Sequence, residues 1–179
     1  MKEQTQLEVR KELNPNMKNE WVIFKEIQGC LFIGIYANQL TTRYQENKDL
    51  LLHSVNLMLK IRKPNSSEET YWKIDWIEDD FGDDILTLKE QDTPEPLEYE
   101  LINAPYQKYS VIGSGFLAYE DNLIKKVSGY GFKENHREFL SLIVLELEKL
   151  FISIIAGAVI ETRITDKRPD DIGNLFFST

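Results

Sequence analysis

The segment Ser54–Lys63, SVNLMLKIRK, places Val55, Leu57, Leu59 and Ile61 at every second position, against Ser54, Asn56, Met58, Lys60 and Arg62. A period of two puts successive side chains on opposite faces of an extended chain, so the run predicts a half-buried strand and excludes a helix there. The pattern returns in TYWKIDWI, with Trp72, Ile74 and Trp76 on one face and Tyr71, Lys73, Asp75 and Ile77 on the other. Pro64-Asn65-Ser66-Ser67 between them is turn chemistry. The two runs predict an antiparallel hairpin.

Further runs extend the sheet. WVIFKEI (from Trp21) and CLFIGIYA (from Cys30) are rich in β-branched and aromatic residues and predict two strands joined at Gln28-Gly29. TTRYQENKDLLL is compatible with a short connecting helix. Ile85–Lys89, LEYELIN, YSVIGSGFLAY (broken by Gly113 and Gly115) and AVIETRIT predict additional strands. ENHREFLSLIVLELEKLFISIIAG, from Glu134 to Gly157, predicts a long helix. At 100° per residue its Glu138, Ser141, Glu146, Glu148, Lys149 and Ser153 gather on one arc, and Gly157 suits a C-terminal cap. The expected fold is therefore α+β: a mostly antiparallel curved sheet of six to eight strands with one long C-terminal helix packed on it. Residues 1–179 form one domain, with a polar N-terminal segment at 1–20 and a C-terminal tail at 166–179. The apolar girth of the helix also suggests a homodimer contact through it.

The net charge of −9 is unevenly spread. Between Glu68 and Glu100 there are 13 acidic and two basic residues, whereas the rest of the chain carries 17 acidic and 19 basic ones. Such a segment repels nucleic acid and anionic membranes and attracts basic proteins. The longest apolar stretch, Phe139–Ile160, is interrupted by Glu146, Glu148 and Lys149, which argues against a membrane span. With one cysteine and a charged N-terminus lacking an apolar segment, the expected location is cytoplasmic.

Reactive residue types are scarce. Cys30 opens an apolar strand and reads as a buried small hydrophobe; His53 and His136 are far apart in sequence. One Cys and two distant His do not make a zinc set, so neither a catalytic residue nor a metal ligand is assigned and no cofactor is expected. The glycine runs GSGF and SGYGF lack dinucleotide or phosphate-loop spacing, and the second reads as a flexible entry turn to the helix. In WIEDDFGDD, five carboxylates fall within Glu78–Asp84, but Gly82 at the sixth loop position puts Ile77, Phe81 and Leu88 where a helix–loop–helix calcium site needs oxygen.

A binding reading remains. Tyr71, Asp75, Trp76, Glu78, Asp79, Asp80, Phe81, Asp83 and Asp84 combine aromatic anchors with like charge, the pairing that gives a protein interface its desolvated area and its electrostatic steering. The expected function is an acidic protein-binding module, not an enzyme. It would be an inhibitor or immunity-type bacterial protein that neutralises a basic partner such as a toxin or nuclease. The plain alternative for the same charges is a solvated surface. A second reading is a small-ligand binder, or an enzyme derived from one, with an apolar cavity between sheet and helix lined by Trp21, Phe24, Phe32, Trp72, Trp76 and Phe116.

Overall fold

The structure, a computed structural model, describes residues 21–44, 49–104, 107–112, 114–117, 122–134, 137–170 and 172–179. Its strands are β1 (Leu31–Ala37), β2 (Thr41–Tyr44), β3 (Leu50–Ser54), β4 (Leu57–Arg62), β5 (Glu69–Glu78), β6 (Asp84–Gln91), β7 (Tyr99–Ala104), β8 (Gln107–Ile112), β9 (Ser114–Leu117), β10 (Lys126–Glu134), β11 (Arg137–Glu146), β12 (Phe151–Ile155), β13 (Ile160–Thr165) and β14 (Asn174–Ser178). They form a five-stranded sheet, β6-β5-β4-β1-β9, a seven-stranded sheet, β14-β10-β11-β12-β13-β3-β2, and the separate hairpin β7-β8.

The two larger sheets share one core, as in a β-sandwich. Leu57, Leu59, Ile61, Trp72, Ile74 and Leu86 from the first meet Leu52, Val127, Leu140, Ile143, Leu145, Ile152, Ile154 and Ile160 from the second. The period-two runs behave as their patterns require, with Leu57, Leu59 and Ile61 facing inward. Val55 is the exception: it lies in the connection between β3 and β4 and is exposed.

The expected long helix is not formed, and the α+β assignment is corrected to a mostly β fold, with two antiparallel sheets and, among the described residues, one short helix. Arg137–Glu146 and Phe151–Ile155 are adjacent antiparallel strands, joined by a tight turn in which the Leu147 N–H donates to the Leu150 carbonyl at 2.9 Å. β11 sits between β10 and β12. Its Leu140, Ile143 and Leu145 face the shared core, while Leu142 and Val144 pack on the opposite side with Tyr130, Phe151, Ile155 and Ile172. A strand covered on both faces shows no alternation, so its apolar run imitates a buried helix. Ser141 adds to the imitation. Tyr130 pairs with Leu142 and Gly131 with Leu140, leaving Ser141 as a bulge that shifts the inward phase by one residue. The homodimer contact and the apolar cavity expected at the helix lose their basis with it. Of the side chains expected to line that cavity, Trp21, Phe24, Phe32 and Trp72 are buried in the core, with Trp76 and Phe116 packed against it.

Other segments differ in the same spirit. Trp21–Ile27 is a 3-10 helix, not a strand, and buries Trp21, Phe24 and Ile27 at the three-residue spacing that a 3-10 turn places on one side. TTRYQENKDLLL supplies β2 and β3, with residues 45–48 outside the described residues. YSVIGSGFLAY is divided between β8 and β9, with Gly113 outside the described residues. SGYGF is the middle of β10, and the tail contributes the edge strand β14. No helix among the described residues is long and apolar enough to cross a membrane.

Candidate functional site: the acidic hairpin end

β5 and β6 pair from Tyr71–Gln91 up to Glu78–Asp84, and residues 79–83 close the hairpin. The Asp79 carboxylate accepts hydrogen bonds from the backbone N–H groups of Phe81 (2.9 Å) and Asp83 (3.0 Å). The Asp79 N–H donates to the Asp83 carbonyl at 3.0 Å, and the Gly82 N–H to the Asp79 carbonyl at 3.0 Å. Gly82 has φ of 86°. These are the features of a three-residue hairpin loop, a type I turn followed by a left-handed residue, in which glycine carries no Cβ penalty. Asp79 and Gly82 thus have structural reasons to stand where they do. Phe81 points outward and is 69% exposed.

The nine residues expected to form one surface are divided. Glu78, Asp79, Asp80, Phe81, Asp83 and Asp84 are together at the tip. Trp76 lies on the inner face of β5, packed against the shared core. Tyr71 is on the outer face, buried with Met58 and Leu97, with the Lys60 ammonium 5.6 Å from its ring centroid. Partial burial by itself would lower the Lys60 ammonium, but the Glu69 carboxylate bonded to it, with Tyr71 beside it, holds it above its ordinary value. Asp75 takes the Lys73 ammonium at 2.7 Å and its own neighbour's Trp76 N–H at 2.9 Å.

Charge is distributed along the hairpin in a way that the count over residues 68–100 hides. Lys60 pairs with Glu69 at 2.6 Å and Lys63 with Glu90 at 3.3 Å, both towards the base of the sheet. Both lysines lie outside the acidic segment in sequence. At the tip, Glu78, Asp79, Asp80, Asp83 and Asp84 crowd five carboxylates into seven residues.

Topology adds residues that the sequence does not flag. Only Val55 and Asn56 connect β3 in one sheet to β4 in the other, so the ends of the sheets that bear Ser54 and Leu57 coincide. The β4–β5 pairing stops at Leu57–Ile74, so the β5–β6 tip projects beyond this end. Across the second sheet the same level runs from Ser54 to Ile160, then from Glu161 to Ile155, Leu142 and Tyr130, with the β10–β11 hairpin continuing past it. Val55, Ile77, Phe132 and Val159, each about half exposed or more, therefore share the end with Phe81. Nothing local marks them; Val55 even belongs to an alternating run.

The reactive residues are elsewhere. Cys30 precedes β1 at the opposite end, with burial pushing its thiol up. His53 Nε2 is 3.3 Å from the Glu161 carboxylate, on the outer face of the second sheet. His136 lies outside the described residues. Among the described residues no group of three or more His, Cys, Asp or Glu is arranged to hold a metal ion. No protein-family model matches the chain, and neither a curated protein nor a solved structure matches it.

Proposed function

We propose that this chain is an acidic protein-binding module that docks its β5–β6 hairpin on a basic partner, in the manner of an inhibitor or immunity-type protein that neutralises a toxin or nuclease. The observation that carries the reading is Phe81: a large apolar side chain, 69% exposed, on a turn held by its own Asp79 carboxylate and flanked by Glu78, Asp80, Asp83 and Asp84. A rigid turn loses little entropy on docking, and an aromatic tip gains desolvated area. The surrounding carboxylates accelerate encounter with a positive surface and weaken as salt rises. Binding, not catalysis, is the role these groups suit.

The test uses a basic protein retained from lysate at low salt and then purified. Asp80, Asp83 and Asp84 are reversed to Lys while Asp79 is kept, because Asp79 holds the turn. The expected result is association slowed at least about tenfold at low salt, with the difference shrinking at high salt. Phe81→Ala is expected to speed dissociation instead. Unchanged rates in both variants would show that the partner docks elsewhere and that the tip is a solvated surface.

A further inference from the structure

Two side chains of the shared core are at odds with their setting. Thr162 on β13 is 0% exposed and Ser54 on β3 is 4% exposed, and neither hydroxyl has a hydrogen-bond partner among the described residues. Both lie on the inner face of the seven-stranded sheet, since Leu52, two residues before Ser54, and Ile160 and Ile164, on either side of Thr162, belong to the core. Ser54 stands opposite Ile160 and Thr162 opposite Leu52 and Ile154, so the side chains directly across from them on these ladders are apolar. A buried hydroxyl without a partner forfeits its hydration with no return, and native interiors seldom leave two such groups side by side.

The register makes Ser54 and Thr162 diagonal neighbours on adjacent strands. Diagonal Cα atoms in an antiparallel pair are about 7–8 Å apart, with the Cβ atoms nearer. One water oxygen bonded to two hydroxyls at about 2.8 Å each bridges oxygens up to roughly 5.6 Å apart, less when the angle is bent, a span within reach of hydroxyls carried on the nearer Cβ atoms and turned toward each other. Internal waters are found where otherwise unsatisfied polar groups converge. We infer that Ser54 and Thr162 together hold one internal water molecule against the inner wall of the sandwich, beneath the connection at Val55–Asn56. The site is independent of the acidic hairpin and stands whether or not that hairpin binds a partner.

Two measurements test it. In the unmodified protein, NMR water–amide cross-relaxation should detect a long-lived water at the amides of residues 54 and 162, and a crystal structure should show an oxygen within hydrogen-bond distance of both hydroxyls. In a double-mutant cycle, Thr162→Val and Ser54→Ala should each lower Tm by about 2–4 °C. The pair together should cost clearly less than the sum, because the first truncation already loosens the shared water. Thr162→Ser, which keeps the hydroxyl, should retain the water signal. The inference is overturned if no long-lived water is seen, if Thr162→Val raises Tm as expected for a bare hydroxyl replaced by an isosteric methyl, or if the two effects add.

Discussion

Gly131→Ala puts the packing of β10 to a sharp test. Strand β10 passes between β11 and β14, and both pairings shift register around residues 129–131. The bulge in β14 turns two consecutive rings, Phe176 and Phe177, toward the core. A Cβ built on Gly131 would lie 2.6 Å from Phe176 Cε2 and 2.9 Å from the carbonyl carbon of Phe139, and closer still to the Phe139 oxygen. That oxygen belongs to the neighbouring strand, so relief requires the backbone ladder to move. At Gly129 the obstacle is a ring alone, with the new Cβ 2.6 Å from Phe177 Cζ and 2.8 Å from Cδ1. Overpacking a core costs about 1–3 kcal/mol. Gly129→Ala belongs within that range, and Gly131→Ala at about 3 kcal/mol or above, since disturbed ladder bonds add to the strain. In a domain of this size about 1 kcal/mol moves Tm by roughly 2–4 °C, so Gly131→Ala should melt roughly 6–12 °C lower. The sign is decisive. In an unobstructed strand, alanine for glycine restricts the unfolded chain and stabilises by a few tenths of a kcal/mol or more. A thermal melt followed by circular dichroism in which Gly131→Ala is unchanged or more stable would refute the register of β10. Coupling adds a second check: Phe177→Leu should recover part of the loss in Gly129→Ala and none of it in Gly131→Ala.

Other predictions concern the turn, the thiol and one carboxylate. Asp79→Ala should destabilise by about 1 kcal/mol in chemical denaturation, because it strips the acceptor from two turn amides; an unchanged midpoint would show that the turn does not depend on that carboxylate. Cys30 should react with a thiol reagent only at the rate of global or local opening, and reaction as fast as that of a free peptide thiol would contradict its burial. Partial burial would raise the Glu161 carboxyl, but the Arg163 guanidinium bonded at 2.6 Å, helped by His53, outweighs it and holds the group below the usual carboxylate range. A carboxylate depressed in the folded state contributes stability above its unfolded value of about 4.3 and loses it as pH falls through the lower folded value. Glu161→Gln should therefore be less stable than the parent at pH 7, with the gap closing below about pH 4; a gap that persists there would assign the loss to packing.

What the amino-acid sequence determines here is local. Alternation over residues 57–61 and 72–76 specifies strand and inward face together, because a period of two separates the two faces of an extended chain, even though Met58 and Tyr71 are buried on the outer face as well. The acidic turn is equally legible in chemistry, since Asp79 and Gly82 satisfy it through bonds no longer than four residues. The segment from Glu134 to Gly157 is the counter-case. Its apolar residues satisfy a helical arc and a doubly covered strand about equally well. The choice fell to neighbours that lie outside it: β10 on one side of the β11–β12 hairpin, β13 on the other, with the facing sheet above. Even the Glu148-Lys149 pair, which interrupts a helix face only mildly, becomes the exposed tip of a hairpin once β11 and β12 are paired. The candidate site divides along the same line. Charge and the exposed Phe81 follow from the turn itself, and the placing of Trp76 and Tyr71 on opposite faces of β5 follows from alternation, but the burial of Tyr71 against Met58 and Leu97 is decided by packing, and so is the gathering of Val55, Phe132 and Val159 at one end. Burial on two faces and contact between distant segments leave no periodic trace in a sequence, so only the assembled sheets could decide them.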